Sequence, residues 1–316
     1  MSYLGIDIGG TKVALRLQGR GDGAGVLEDT FRWPADNGAA ADMDLIAERV
    51  RALLRNDTAS LRGVGLAVPA VCDTAGTVLT WPGRPSWAGL DLTAAVGRVF
   101  PDTPSVFADD GDLAALAEAR EAGGANLLYL GVGTGVGGGL VVEGRSWPGP
   151  ARGSCEVGHV LIDRDGPRCD CGRRGCLQAV ASGPATLRRA AQLRGRETDF
   201  PALVEAFTAR EPWARAAVDE TAAALARAAV GICELAHPDI VCVGGGFAAG
   251  LPALVDSVAE RVRELARPGV PPVEVRPAAL GGRSSLRGAV LLAEETFGTT
   301  HRAGASAVVE HPWPRG

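Results

Sequence analysis

The sequence predicts an α/β protein of two lobes, and three observations carry that prediction. Its 316 residues exceed what one simple core accommodates. Short apolar runs and stretches of helical spacing follow one another along the chain. A strand, a glycine turn and a second strand occur twice, opening on Leu4-Gly5-Ile6-Asp7 and on Leu130-Gly131-Val132-Gly133. The copies lie about 126 positions apart, too far for a solenoid repeat and suited to two related lobes.

The first hairpin pairs Tyr3 to Ile8 with Val13 to Leu17 around Gly9-Gly10-Thr11. A third strand is predicted at Val26 to Trp33. Leu45, Ile46, Val50, Leu53 and Leu54 have helical spacing within Ala40 to Arg55. Val64 to Val68 reads as a buried strand stopped by Pro69, Leu92 to Phe100 as a helix, and Ser105 to Ala108 as a strand entering Asp109-Asp110-Gly111-Asp112. A helix over Leu113 to Glu121 follows. The second hairpin has strands at Leu127 to Val132 and Leu140 to Val142, flanking seven residues from Gly133 to Gly139. Residues 144 to 184 read as loop. Pro212 to Ala236 is a long helix, with its Pro where a missing N–H costs little. A strand at Ile240 to Val243, a helix over Leu251 to Ala266, a strand at Val273 to Arg276 and a helix over Ser285 to Phe297 complete the pattern, with a frayed tail after Thr299.

Composition narrows the function. The chain is 46% hydrophobic and 22% charged with net charge −5, as expected of a folded protein. No Lys/Arg block stands out, so neither nucleic acid nor an anionic membrane is expected as partner. No apolar run is long enough to span a bilayer. The N-terminus lacks a basic segment and reaches Asp7 at once, so it reads as a strand rather than a signal peptide. Of the seven Cys, three fall within eight positions (Cys169, Cys171, Cys176). That suits a metal site in a reducing cytoplasm better than a disulfide framework. Lys12 is the only lysine among 32 basic side chains.

The segment Asp7-Ile8-Gly9-Gly10-Thr11-Lys12 ends a strand. Its glycines let backbone N–H groups approach an anion, Thr11 can donate to a phosphate oxygen, and Asp7 can hold Mg²⁺ through water. An ordinary hairpin turn is the plainer alternative. Gly133-x-Gly135-x-x-Gly138 matches the dinucleotide fingerprint in form, but that loop must open a helix, and Gly139-Leu140-Val141-Val142 reads as strand. Two glycine-turn hairpins, the second holding Gly133, Thr134 and Gly135, fit the gripping of a polyphosphate instead. Gly244-Gly245-Gly246 follows a strand and can approach adenine and ribose, or make a plain βα turn. His159, Cys169, Cys171 and Cys176 form a Cys₃His set with Gly172 and Gly175 at its turns. Four N/S ligands fill a tetrahedron, so a zinc ion held there is structural, and the second ring nitrogen of His159 is left to face a substrate. Phosphoryl transfer needs a carboxylate to take the hydroxyl proton. Asp109, Asp110 and Asp112 are candidates, against the plain reading of acids favoured at a helix N-terminus.

Glu156-Val157-Gly158-His159, followed by Cys169-Asp170-Cys171-Gly172-Arg173-Arg174-Gly175-Cys176-Leu177, resembles the signature of the ROK family (repressor, open reading frame, kinase), especially its glucokinase-like members. The opening D-x-G-G-T-K, the G-T-G-x-G-G turn and the strand leading to G-G-G match as well, so the resemblance runs from Asp7 to about residue 297. It implies an actin-like (ribonuclease H-like) two-lobed sugar kinase fold with a small zinc-binding loop region, binding sugar and Mg-ATP in its cleft. Residues 1–108 are expected to form the small lobe, with helix 285–297 packed on it, 109–284 the large lobe, and 299–316 a tail. The resemblance gives the base role to Asp110 and sugar contacts to Asp109, Asp110, Glu156, His159 and Gln178, and implies a homodimer. Some members are repressors with a DNA-binding segment ahead of the fold; here the sequence begins on the first strand, so none is expected.

Four positions depart from the family pattern near the sugar. Asp109 and Asp112 stand where it has Asn, Gln178 where it has Glu, and Gly83 where Pro82-Gly83-Arg84-Pro85-Ser86-Trp87 aligns with P-N-x-x-x-W. A carboxylate only accepts hydrogen bonds and attracts a cation. Asp109 therefore favours an ammonium on the sugar near its 3-position. The expected activity is an ATP-dependent hexose 6-kinase acting on an amino-hexose such as kanosamine (3-amino-3-deoxyglucose). A glucokinase and a non-catalytic sugar sensor are the alternatives; an NAD-dependent oxidoreductase fails on the strand context of its glycine run.

Overall fold

The computed structural model describes residues 1–19, 25–55, 60–149 and 153–298; the frayed tail expected from Thr299 onward lies outside them. In chain order the strands and helices are β1 (Ser2–Ile8), β2 (Lys12–Gly19), β3 (Val26–Arg32), α1 (Ala39–Leu54), β4 (Leu61–Ala67), the short pair β5 (Val71–Cys72) and β6 (Val78–Thr80), α2 (Leu92–Val99), β7 (Ser105–Ala108) and α3 (Asp110–Glu121). They continue with β8 (Leu127–Val132), β9 (Val136–Val142), β10 (Arg145–Trp147), α4 (Leu177–Ala181), α5 (Gly183–Arg194), α6 (Phe200–Thr208), α7 (Pro212–Ala236), β11 (Ile240–Gly244), α8 (Gly245–Gly250), α9 (Ala253–Glu264), β12 (Glu274–Pro277) and α10 (Ser284–Phe297). The chain divides into two compact units, Met1–Ala117 with Pro148–Ser154 and Arg283–Gly316, and Glu118–Trp147 with Cys155–Gly282. The division falls inside α3, whose first two turns stay with the first unit.

In the first unit the sheet order is β3-β2-β1-β4-β7. The β1–β2 hairpin aligns Asp7 with Ala14, and β1 runs parallel to β4, and β4 to β7, so that Asp7, Ala67 and Ala108 stand abreast at the carboxyl ends. One face of the sheet packs on α1 and α2 through Leu4, Ile6, Ile46, Val50, Leu66 and Leu92, all buried. The other receives α10 at backbone distance. A Cβ added to Gly65 would lie 1.9 Å from the Ala289 carbonyl oxygen, and one on Gly5 2.6 Å from Val290 Cγ2. Side chains at those positions would hold the helix off the strands.

In the second unit the order is β10-β9-β8-β11-β12, with β8, β11 and β12 parallel. Long α7 buries an alanine-rich face, including Ala214, Ala217, Ala222 and Ala229, in the core with Leu225, Leu254 and Val258. Small side chains there let helices approach closely. Two expectations need correction. The second hairpin's turn is three residues, because Gly137, Gly138 and Gly139 are strand residues paired with Gly131, Leu130 and Tyr129. Between 144 and 184 the chain is more regular than read: it holds β10, a 3-10 turn at Val157–His159, α4 and the start of α5.

Candidate active site

In the first unit the site is built at the carboxyl ends of β1 and β7. Asp7 is the penultimate residue of β1, and its Oδ2 accepts a 2.8 Å hydrogen bond from Ser285 Oγ at the start of α10. Burial raises its carboxyl pKa above the ordinary 3.8, against the pull of that hydrogen bond and of nearby Lys12. Gly9 N–H donates to the Lys12 carbonyl at 2.9 Å and closes the turn, while Thr11 and Lys12 stay exposed. β7 ends at Ala108, and the next residue caps α3. Asp109 Oδ1 accepts from Gly111 N at 2.9 Å and Asp112 N at 3.3 Å, the expected geometry for satisfying orphan N–H groups. So the plain reading of Asp109 as a helix-terminal acid holds whatever else it does. Asp110 opens the helix. Burial above all, then the charges of Asp109 and Asp7, push its carboxyl up from 3.8 to about 8. A like-charged neighbour and a low-dielectric site are what hold a carboxylate ready to take a proton.

In the second unit the turn between β8 and β9 is Gly133-Thr134-Gly135, closed by Gly133 N–H donating to the Gly135 carbonyl at 2.9 Å. The Gly133 carbonyl accepts from Gly183 N at 2.9 Å, which ties the turn to the start of α5. Gly244 and Gly245 sit at the junction of β11 and α8. Gly245 has φ +84°, and a Cβ there would lie 2.5 Å from the Val132 carbonyl oxygen. Only glycine fits, for both conformation and space. Gly246 lies in the first turn of α8, so this run makes the βα junction directly.

His159, Cys169, Cys171 and Cys176 come together with their ligand atoms all within 4.8 Å of one another. Cys169 Sγ lies 3.7 Å from His159 Nδ1, and Cys171 Sγ 3.6 Å from Cys176 Sγ. Zinc bonds of about 2.3 Å to sulfur and 2.0–2.1 Å to nitrogen give tetrahedral edges of roughly 3.5–3.8 Å, so the donor set fits a closed zinc site. The backbone N–H of Arg173, foremost, lowers the Cys171 thiol to about 6, while burial, foremost, pushes the Cys176 thiol up to about 12. The other face of His159 points to Glu156, with Nε2 3.9 Å from Oε2. His159 belongs to the 3-10 turn, whose Gly158 packs directly on β9: a Cβ there would lie 1.9 Å from the Val136 carbonyl oxygen. Gln178, expected at a sugar-contacting position, donates from Nε2 to Cys169 Sγ at 3.3 Å. Its Oε1 lies beside the backbone of Gly135.

The expected residues thus gather in two sets. Asp7, Gly9, Gly10, Thr11, Lys12, Asp109 and Asp110 lie in the first unit, and Gly133 to Gly135, Glu156, His159, Gln178, the three cysteines and Gly244 to Gly246 in the second. Sequence reasoning missed Ser285 on Asp7. It also missed Trp33, whose Nε1 donates to the Gly10 carbonyl at 3.2 Å. Neither has a local signal, since each partner is far away in the chain.

This pairing of glycine-turn hairpins and a Cys₃His knuckle on two α/β units is the architecture of a ROK protein. The ROK family model matches residues 3–296, and the chain belongs to that family. Among curated relatives it is 51% identical over 292 residues to a kanosamine kinase of Amycolatopsis mediterranei, covering 92% of this chain and 95% of the relative. It is 28% identical over 318 residues to a glucokinase of Thermotoga maritima, covering 94% and 99%. Among solved structures, a ROK hexokinase from Thermus thermophilus superposes with TM-score 0.79 at 29% identity, covering 94% of this chain and 99% of that one. A ROK family glucokinase from Streptomyces griseus in complex with glucose and AMPPNP gives TM-score 0.77 at 26% identity, covering 93% and 100%. Among the described residues no helix is long and apolar enough to cross a membrane.

Proposed function

We propose that this chain is an ATP-dependent hexose 6-kinase whose preferred acceptor is an amino-hexose of the kanosamine type. The observation that carries the reading is Asp110: a buried carboxyl at the start of α3, raised to about 8 by burial and by the adjacent Asp109 and Asp7. Such a group is a poor structural acid and a good proton acceptor. Asp110 takes the proton of the sugar's 6-hydroxyl as the new O–P bond forms and the bond from the γ-phosphorus to the β,γ-bridging oxygen breaks, releasing ADP. Positioning and charge neutralisation supply the rest of the acceleration. Asp7 would hold the Mg²⁺ that arrives with ATP. The Gly9 to Lys12 turn and the Gly133 to Gly135 turn offer backbone N–H groups, Thr11 and Thr134 hydroxyls, and the Lys12 ammonium to phosphate oxygens. Gly244 to Gly246 present bare backbone to the nucleoside.

Glu156, His159 and Gln178 serve the sugar, His159 through Nε2, since Nδ1 faces the cysteines. His159, Cys169, Cys171 and Cys176 would hold zinc as a structural ion, which would fix the loop carrying His159 and supply no step. Asp109 combines two roles. Oδ1 caps the helix, as the Asn of the family pattern could, and the negative charge that Asn lacks attracts a sugar ammonium. The 51% identity to a kanosamine kinase supports the same acceptor. The reading carries with it a homodimer in the cytoplasm.

The test is a panel of hexoses and amino-hexoses with purified protein and Mg-ATP, read by product mass. Phosphorylated kanosamine at higher kcat/KM than phosphorylated glucose is the expected result. Clear preference for glucose removes the amino-sugar assignment, and absence of any product with retained sugar binding would mark a sensor.

A further inference from the structure

Behind the first phosphate turn lies a polar group sealed among aromatic rings, and it serves no step of the mechanism. Asp42 of α1 is fully buried and Arg84 is 3% exposed. Arg84 donates to both Asp42 oxygens, from Nε and NH2, each at 2.7 Å, and Trp87 Nε1 donates to Asp42 Oδ2 at 2.8 Å. The Arg84 guanidinium also lies over the Trp33 ring, 4.4 Å from its centroid. Trp33, Trp81 and Trp87 pack together with centroids 4.9–6.3 Å apart. Trp33 then reaches forward, its Nε1 donating to the Gly10 carbonyl at 3.2 Å. The backbone of Gly83 rests on the same turn: a Cβ on Gly10 would lie 3.3 Å from Gly83. A buried ion pair is seldom worth its desolvation for stability alone. This one fixes the plane of one indole, and that indole fixes the carbonyl of one residue in the glycine turn.

We propose that Trp33 is a positioning residue for nucleotide binding, and that the Asp42–Arg84 pair orients it. The inference rests on the reading of Gly9 to Lys12 as a phosphate loop. Two adjacent glycines leave that turn many conformations in the free chain. Clamping the Gly10 carbonyl also fixes the Thr11 N–H, which belongs to the same planar peptide and points the opposite way, so phosphate does not bear the cost of ordering it.

The variant Trp33→Phe keeps an aromatic ring and removes the N–H donor. The expected result is a five- to tenfold rise in both the KM for Mg-ATP and the calorimetric Kd for Mg-AMPPNP, the loss associated with about one hydrogen bond. The KM for the sugar and the zinc content should stay unchanged. Benzothienylalanine at position 33, which replaces only the indole N–H with sulfur, should reproduce the effect if Phe proves too small for the cage. Unchanged nucleotide affinity in a folded variant, or an equal rise in both KM values, overturns the inference. Wild-type protein that fails to bind Mg-AMPPNP at all would instead overturn the phosphate-loop reading beneath it.

Discussion

Replacing Asp110 by Asn removes a carboxyl group that burial holds protonated up to about pH 8. In the unfolded chain the same group ionises near its ordinary 3.8. Between these values the native state binds the extra proton, so native stability falls as pH rises through the window and levels off above it. Each unit is worth about 1.4 kcal/mol. At pH 7 about three of those units have been crossed, which gives a penalty on the order of 4 kcal/mol in the wild type that the amide does not bear. Urea denaturation of both proteins from pH 5 to 9 measures the difference. The variant should be the more stable at pH 7 and above, with the two curves converging toward pH 5, while its turnover drops about 10²–10⁴-fold. Curves that stay parallel across the range would mean that Asp110 is ionised in the native site as in the unfolded chain. Undiminished turnover would remove it as the base.

The remaining predictions address the neighbours of that carboxylate and the scaffold. With glucose, whose recognition does not titrate, kcat/KM should rise with pH toward a plateau above about 8, because the base acts as its anion. Asp109→Asn removes one like charge and should move that limb roughly one unit lower, as read from a pH–rate profile. The same variant should shift the kcat/KM ratio of kanosamine to glucose toward glucose by roughly tenfold or more, the scale of one charge-assisted contact, in competition assays. Cys176→Ser should abolish about one equivalent of bound zinc by atomic emission and lower Tm by several degrees, since a structural site contributes to folding. Gly65→Ala puts a methyl 1.9 Å from the Ala289 carbonyl oxygen and should lower unfolding free energy by about 3 kcal/mol in urea.

Much of this was legible locally. The first hairpin announces itself through apolar runs on either side of Gly9-Gly10-Thr11, and the knuckle through three cysteines within eight positions. Helix α7 starts at Pro212 and ends at Ala236 as read, because Pro at the first turn and a long apolar face mark both bounds. Other parts had no local voice. Five-residue α4 is too short to show a period, and α5 carries Arg188, Arg189 and Arg194 around its alanines, which blurs any stripe. Asp109 was visible as an unusual acid, but its capping bonds depend on the backbone around it. Ser285 meets Asp7 across 278 positions and Arg84 meets Asp42 across 42, and such pairs leave no trace in spacing. Gln178 could be placed by resemblance, while its contact with Cys169 depends on how the knuckle folds back on α4.

The bare glycine floor under α10 sets an order of events during synthesis. Gly5, Gly63 and Gly65 lie in β1 and β4, made early, yet the helix that covers them occupies residues 284–297. The whole of the second unit leaves the ribosome before that helix does, so it can close first, reversing the usual sequence in which the amino-terminal part folds ahead of the rest. Until the last turns emerge, the nascent first sheet has one face with no cover of its own. A chain cut short before residue 284 should therefore fail in the half of the protein farthest from the cut in sequence.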